Sequence, residues 1–168
     1  MTRIAKAFEK TRNEGRPAII PFLTGGYPTL DSAVPLILAA EAAGADLLEI
    51  GLPFSDPLAD GPAIQLSSQR AIENGATLKW ILQQVKTVRE TSQLPLILMG
   101  YLNPMLRYGL EEFAQGCVKA GVDGLIVPDL LPEESEEFAR ICDRHGLSNV
   151  FLMAPTSSVD LADALVAR

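Results

Sequence analysis

Short apolar runs alternate with helical patterns along the chain, and this alternation constrains the fold more than any other feature. Five runs, at residues 18–23, 46–50, 95–101, 124–127 and 149–153, have the composition of strands buried on both faces. Between them, apolar residues recur at the spacing of amphipathic helices, and one more helix is predicted ahead of the first strand, over residues 4–14. The alternation predicts right-handed βαβ units, and therefore an α/β fold with a parallel sheet.

Several helix boundaries carry clear chemical signals. Pro62 suits the first position of a helix, and Asn74-Gly75 suits its end. Thr77 is a good N-cap for the next helix. Ser157 or Ser158 caps the last one, which is predicted to run to Arg168.

Two architectures satisfy this pattern in a chain of 168 residues, a length typical of one domain. A doubly wound open sheet accommodates five strands, but residues 22–27 after the first strand lack the GxGxxG spacing that cradles a phosphate. A (β/α)₈ TIM barrel takes roughly 250 residues for its eight units. On the second interpretation residues 1–168 form the N-terminal part of a barrel, about five βα units preceded by a short helix.

The charge balance and the cysteines limit the functional classes. Fourteen basic against 21 acidic residues give a net charge of −7 without a basic cluster, which disfavours nucleic acid as a partner. Cys117 and Cys142 lie far apart without CxxC spacing, and we see no signal peptide, so a cytoplasmic location is expected. The apolar stretches are shorter than the ~20 residues of a membrane-spanning helix.

Glu49 is a candidate acid or base. Function in parallel α/β folds resides at the carboxyl ends of strands, and Glu49 lies near the end of the second strand. Strand alternation places Leu48 and Ile50 on one face and Leu47 and Glu49 on the other, among apolar neighbours. Burial there would raise the pKa of Glu49 and suit it to proton transfer, although a structural glutamate held by neighbouring hydroxyls fits equally.

The loop after Glu49 contains three prolines and two aspartates, and the prolines give it a defined shape. Asp60 follows Glu49 by 60 − 49 = 11 residues, so the loop can fold back and bring a second carboxylate over the same pocket. Asp56 and Asp60 alternatively form local turns or cap the helix that begins at Pro62.

Residues 49–65 (EIGLPFSDPLADGPAIQ) resemble the signature of the tryptophan synthase alpha chain family. The resemblance extends over residues 19–28 (IIPFLTGGYP), 99–104 (MGYLNP), 121–129 (GVDGLIVPD) and 132–135 (PEES), and so covers nearly the whole chain. It implies a TIM barrel.

The resemblance also implies a lyase of tryptophan biosynthesis. Members of this family cleave indole-3-glycerol phosphate to indole and glyceraldehyde 3-phosphate, without a metal or an organic cofactor. Glu49 would serve indole C3 and the glycerol hydroxyl as acid and base, and Asp60 would accept from the indole N–H. Phe22, Ile64, Met99 and Tyr101 would form the wall of the indole pocket, although ordinary barrel core is the alternative for Ile64 and Met99.

A partner is implied as well, because alpha chains of this family bind a pyridoxal-phosphate beta chain and pass indole to it. By resemblance, two loops contact the beta chain: residues 53–60, which contain Asp56, and Asn103-Pro-Met105 after the third strand. Asp129 would support the closure of both loops.

The chain differs from the family in length. Family members continue through strands six to eight, whose loops usually hold the phosphate. The sequence alone therefore leaves two alternatives to an active lyase. One is an inactive alpha-chain fragment that binds the beta chain or self-associates, and the other is a different sugar-phosphate barrel enzyme.

Overall fold

Five strands alternate with helices in the computed structural model, which describes residues 1–166. The strands are β1 Phe22–Thr24, β2 Leu48–Gly51, β3 Leu96–Met99, β4 Gly124–Ile126 and β5 Ser148–Val150. The helices are α1 Arg3–Asn13, α2 Ala33–Ala42, α3 Pro62–Glu73, α4 Leu78–Arg89, α5 Leu102–Tyr108, α6 Leu110–Ala120, α7 Glu136–His145 and α8 Val159–Val166. Short 3₁₀ turns cover Leu30–Ser32 and Pro132–Glu134. No helix within residues 1–166 has the length and apolar character needed to cross a membrane.

The order of the strands distinguishes the two architectures. All neighbours are parallel and follow the order β1-β2-β3-β4-β5, so each strand lies beside the next one in sequence. A doubly wound sheet reverses its strand order at a switch point, and this sheet has no reversal among its five strands. The topology is that of consecutive units in a (β/α)₈ barrel wall.

The two faces of the sheet bury different side chains. Leu48, Ile50 and Leu96 belong to the main core between the sheet and the helices. Leu47 and Ile97 point to the opposite, inner face and pack with Ile126 against α1. The predicted alternation in β2 is therefore confirmed, and α1 covers the inner face towards the amino ends of the strands.

Asp123 anchors this amino end. Its carboxylate lies 2.6 Å from Arg89 Nη2 and 3.0 Å from Arg3 Nη1, and it accepts the Leu96 N–H at 2.9 Å. Arg89 is largely buried, and burial lowers its pKa even though Asp123 opposes this effect. The network joins α1 and α4 to β3 and to the residue before β4.

Asp46, just before β2, has a similar environment. Arg16 donates to both carboxylate oxygens, at 2.6 and 2.8 Å, and the Ile19 N–H donates at 2.9 Å. These hydrogen bonds, those from Arg16 above all, hold the pKa of Asp46 well below its usual range.

The boundaries of β1 and β5 differ from the prediction. The first strand begins at Phe22, not at residue 18, because Pro21 has no N–H to donate to a sheet ladder. The Pro21 carbonyl still accepts the Glu49 N–H at 2.9 Å. The last strand covers Ser148–Val150 rather than residues 149–153, and among the described residues it pairs only with the three residues of β4.

The predicted loop at Asn103 is wrong, because Leu102–Tyr108 form helix α5. Pro104 is the third residue of this helix, within the first turn, where backbone N–H groups have no intrahelical partner and a proline is tolerated. The Asp129 carboxylate accepts the Leu102 N–H at 2.9 Å and so caps α5 from another segment. The predicted end of α8 at Arg168 lies outside the described residues.

Candidate active site

A narrow pocket opens at the carboxyl ends of β1, β2 and β3. Its wall contains five of the residues that the sequence singled out, namely Phe22, Asp60, Ile64, Met99 and Tyr101. It also contains residues that the sequence analysis did not identify, namely Gly51, Leu52, Ser68, Gly100 and Pro128. These residues come from three strands, from α3 and from the loops at the carboxyl ends of the strands. They are far apart in sequence and are brought together by the fold.

Gly51 allows the aromatic wall to form. Phe22 and Glu49 are register partners, and the Phe22 ring extends over the next inward position of β2, which is Gly51. A Cβ atom at position 51 would overlap Phe22 Cζ, closer than carbon atoms approach without bonding. A larger residue there would displace the ring from the pocket.

The loop between β2 and α3 places Asp60 at the pocket through Tyr101. The Tyr101 hydroxyl accepts the Ala59 N–H at 2.9 Å and donates to Asp60 Oδ2 at 3.1 Å. Gln65 Nε2 donates to the Asp60 carbonyl at 2.9 Å. Burial and the neighbouring carboxylate of Asp60 raise the pKa of Tyr101, so the phenol keeps the proton that it donates.

The structure bears on one of the alternatives for the loop aspartates, the capping of α3. The N-cap of α3 is Gly61, without a side-chain cap, so Asp60 does not cap this helix. Asp56 is exposed, and Ser55 Oγ donates to its carboxylate at 2.6 Å.

Glu49 lies on the inner face of β2, two residues before Gly51 of the pocket wall. Gly51, two positions further along the strand, points to the same side and lines the pocket. The Glu49 side chain is half-buried, and burial raises its pKa. Within residues 1–166 no hydrogen bond reaches its carboxylate.

The enclosed part of the pocket is about 10 Å³, close to the size of one water molecule. A flat bicyclic ring fits only if the wall moves outward. The Tyr101 hydroxyl holds the Ala59–Asp60 segment, so its two hydrogen bonds oppose such a movement of the loop.

Two of the residues assigned to a partner interface are close in the structure, because Asp129 accepts the Leu102 N–H and Asn103 follows Leu102 in α5. Asn103 borders a shallow groove with Pro53 and Phe54. The Phe54 ring lies 5.4 Å from the Tyr101 ring between centroids, which links the groove to the pocket wall. Leu58, at the tip of the loop, is almost fully exposed.

A sequence model of the family "Tryptophan synthase alpha chain" matches residues 8–168. The tryptophan synthase alpha chain of Geotalea uraniireducens is 52% identical over 157 residues, which cover 94% of this chain and 59% of the relative. That of Roseiflexus sp. is 49% identical over 168 residues, which cover 99% of this chain and 64% of the relative. The chain therefore spans about three fifths of the length of the curated relatives that it matches.

Solved structures agree in fold. Tryptophan synthase subunit alpha from Legionella pneumophila superposes with a TM-score of 0.94 at 41% identity, over 97% of this chain and 63% of that one. A chain in the tryptophan synthase complex from Pyrococcus furiosus superposes with a TM-score of 0.82 at 40% identity, over 86% of this chain and 59% of that one. With the sequential parallel sheet and the residues gathered at its carboxyl end, these matches establish that the chain belongs to the tryptophan synthase alpha chain family.

Proposed function

We propose that this chain carries the catalytic acid and base groups for cleavage of indole-3-glycerol phosphate to indole and glyceraldehyde 3-phosphate, the lyase step that the family resemblance implies. One observation carries the proposal: Glu49 is half-buried, accepts no hydrogen bond within residues 1–166, and lies two residues before Gly51 of an apolar pocket that also contains Asp60. Because the chain spans about three fifths of its relatives, substrate, activity and partner are all part of the proposal.

Glu49 is the group that moves protons. Its raised pKa favours a protonated carboxyl, which delivers a proton to indole C3. The bond from C3 to the glycerol carbon then breaks, and its electron pair returns to the ring. The Glu49 carboxylate takes the proton of the hydroxyl on that carbon, which becomes the aldehyde, so the catalyst is regenerated.

Asp60 stabilises the intermediate electrostatically. Protonation at C3 places positive charge on the ring nitrogen, and a carboxylate that accepts from the N–H stabilises this charge. The hydrogen bond from Tyr101 fixes one Asp60 oxygen, and the other is available to the ring. Phe22, Ile64, Met99 and Tyr101 supply the apolar and aromatic wall that suits a flat heterocycle.

The partner in this proposal is a pyridoxal-phosphate beta chain, to which the indole is passed. The likeness to a chain in a solved tryptophan synthase complex supports it. The surface that we assign to the contact is the loop of residues 53–60 with Asp56, Asn103 on α5, and Asp129, which caps α5. The exposed Leu58 adds an apolar group to this surface.

The cellular location that we propose is the cytoplasm. Cys117 and Cys142 are both buried and free, and burial raises the pKa of each thiol, that of Cys142 to about 12. Two unpaired thiols in the core suit a reducing compartment.

The test is release of indole from indole-3-glycerol phosphate by the purified chain, alone and with a beta chain added. We expect Glu49→Gln to reduce the rate about 10²- to 10⁴-fold, the range of general acid and base catalysis. We expect Asp60→Asn to lower it about 10²-fold, as loss of one electrostatic contact does.

Glu90→Gln is the matched control, because Glu90 is exposed at the end of α4, away from the pocket. If the chain releases no indole under either condition, while its fold is intact, the inactive-fragment alternative holds. The family match favours this lyase over the other sugar-phosphate barrel enzymes.

A further inference from the structure

Thr24 and Ser67 form a buried hydrogen bond between β1 and α3, next to the pocket. Thr24 is the last residue of β1 and Ser67 lies within α3, and their hydroxyl oxygens are 2.7 Å apart. Both residues are buried, with 9% and 8% of their surfaces exposed. The proposed mechanism uses neither of them.

The direction of this hydrogen bond follows from a second one. Ser67 Oγ donates to the Ile64 carbonyl at 2.9 Å. Because a hydroxyl carries a single proton, Ser67 has none left for Thr24. Thr24 Oγ1 is therefore the donor between the two hydroxyls, and Ser67 Oγ is the acceptor. The two hydrogen bonds form a chain from Thr24 through Ser67 to the Ile64 carbonyl, in which each bond polarises the other.

This chain of hydrogen bonds joins the two elements that carry Phe22 and Ile64, two residues of the pocket wall. Phe22 precedes Thr24 by two positions in β1, so both side chains leave the same face of the strand. Ile64 supplies the carbonyl at the other end of the chain, and its side chain lines the pocket. The hydroxyls of Thr24 and Ser67 thus connect both sides of the wall without being part of it.

The space next to the wall gives this connection a role. Phe22 and Ile64 line the pocket and also an adjacent groove of about 390 Å³, which Thr24 and Ser67 line as well. The groove leaves room for the two wall side chains to move away from the pocket, so side-chain packing alone does not fix their positions. The hydrogen bond between β1 and α3 limits how far these elements separate, and it therefore limits the width of the pocket.

We propose that Ser67 is a positioning residue, which holds α3 against β1 by accepting from Thr24 and donating to the Ile64 carbonyl, and so keeps Phe22 and Ile64 against a ring in the pocket. This inference rests on the proposed function, because it takes indole as that ring. Without the contact, β1 and α3 separate more easily, and only the fraction of molecules with a closed wall binds the ring tightly.

The experiment measures the dissociation constant of indole by ligand-observed NMR for the unsubstituted chain, Ser67→Ala, Thr24→Val and the double variant. We expect each single change to weaken indole binding about fivefold, the effect of one neutral hydrogen bond. The double variant should also lose about fivefold rather than about 25-fold, because both changes remove the same contact. Thr24→Ser keeps the donor and should keep the affinity.

Thr11→Val is the matched control, because Thr11 is a buried residue of α1 whose hydroxyl donates to the Phe8 carbonyl at 3.1 Å, outside the pocket wall. Urea denaturation checks that every variant is folded under the conditions of the binding measurement. If Ser67→Ala does not fold, Thr24→Val carries the same test, since it leaves no buried donor without an acceptor.

An unchanged affinity for indole in the folded variants, or an equal loss in Thr11→Val, would overturn the positioning role and leave the proposed function intact. Additive losses in the double variant would overturn it as well, because the two hydroxyls would then act separately. A chain that neither binds indole nor releases it in the assay above would overturn both proposals.

Discussion

Strand β2 has a carboxylate near each end, and the two side chains have opposite environments. Asp46, before the strand, receives two hydrogen bonds from Arg16 and one from a backbone N–H, and its pKa is lowered. Glu49, near the carboxyl end, receives none from the described residues, and its pKa is raised. Asp123 repeats the first environment before β4. The carboxylates of Asp46 and Asp123 therefore join neighbouring segments of the fold, whereas the group that we propose for proton transfer, Glu49, accepts no hydrogen bond within residues 1–166.

The largest effect on stability should come from Asp123→Asn. This change removes the charge that compensates the buried Arg89, so we expect a loss of about 3 kcal/mol in the free energy of unfolding. Urea denaturation measures the loss. Asp143→Asn, on the exposed face of α7, is the control and should change little. A loss at position 123 no greater than that of the control would mean that the amino-end network is not structural.

Tyr101→Phe tests a carboxylate whose environment is intermediate between those of Asp46 and Glu49. Asp60 accepts one side-chain hydrogen bond, from Tyr101. We expect kcat to fall about tenfold with KM little changed, since the misplaced carboxylate matters most in the transition state. Steady-state kinetics separate the two constants. Tyr108→Phe, whose ring packs edge-on against Phe113, is the control. A rise in KM alone would assign Tyr101 to binding and not to positioning.

Glu49→Gln should have the smallest effect on stability, and of opposite sign to Asp123→Asn. The folded state holds the Glu49 proton more tightly than the unfolded state does, so stability falls as pH rises from the ordinary pKa of glutamate through the raised one. At pH 7 the neutral amide removes this penalty, and we expect the Tm to rise by no more than about 2 °C, because the side chain is half-exposed.

Thermal unfolding of both proteins at pH 7 and pH 4 measures this difference. The gain should disappear near pH 4, where Glu49 is protonated in both states. A lower Tm for Glu49→Gln at pH 7 would reveal a stabilising partner for the carboxylate and would weaken the contrast between the two ends of β2.

The helix α3 shows how much the sequence can predict. Its bounds, Pro62–Glu73, match the prediction because a proline at the first position and Asn74-Gly75 at the end are local signals. The prediction lacks helix α5, because the resemblance assigned residues 103–105 to a loop. The cap that stabilises α5 comes from Asp129, which lies 27 residues away.

In the candidate site, too, local features could be predicted and contacts between distant residues could not. The length of the loop after Glu49 and the resemblance predicted that Asp60 returns to the pocket, and Asp60 does line it. The Tyr101 hydroxyl that fixes Asp60 is separated from it by 41 residues, and no sequence pattern encodes that contact. Ser68 could have been found, because it follows Ile64 by one helical turn and therefore shares its face.

The contact between Arg3 and Asp123 has a consequence for the order in which the chain folds during synthesis. The two residues are 120 positions apart, so α1 leaves the ribosome long before the aspartate that anchors it exists. At roughly 5–20 residues per second, the delay is about 6 to 24 seconds. The apolar side of α1, with Ile4 and Ala7, cannot pack against Ile97 of β3 until about residue 97 is made, or against Ile126 of β4 until the end of the interval. We therefore expect complete docking of α1 to follow synthesis of the fourth strand.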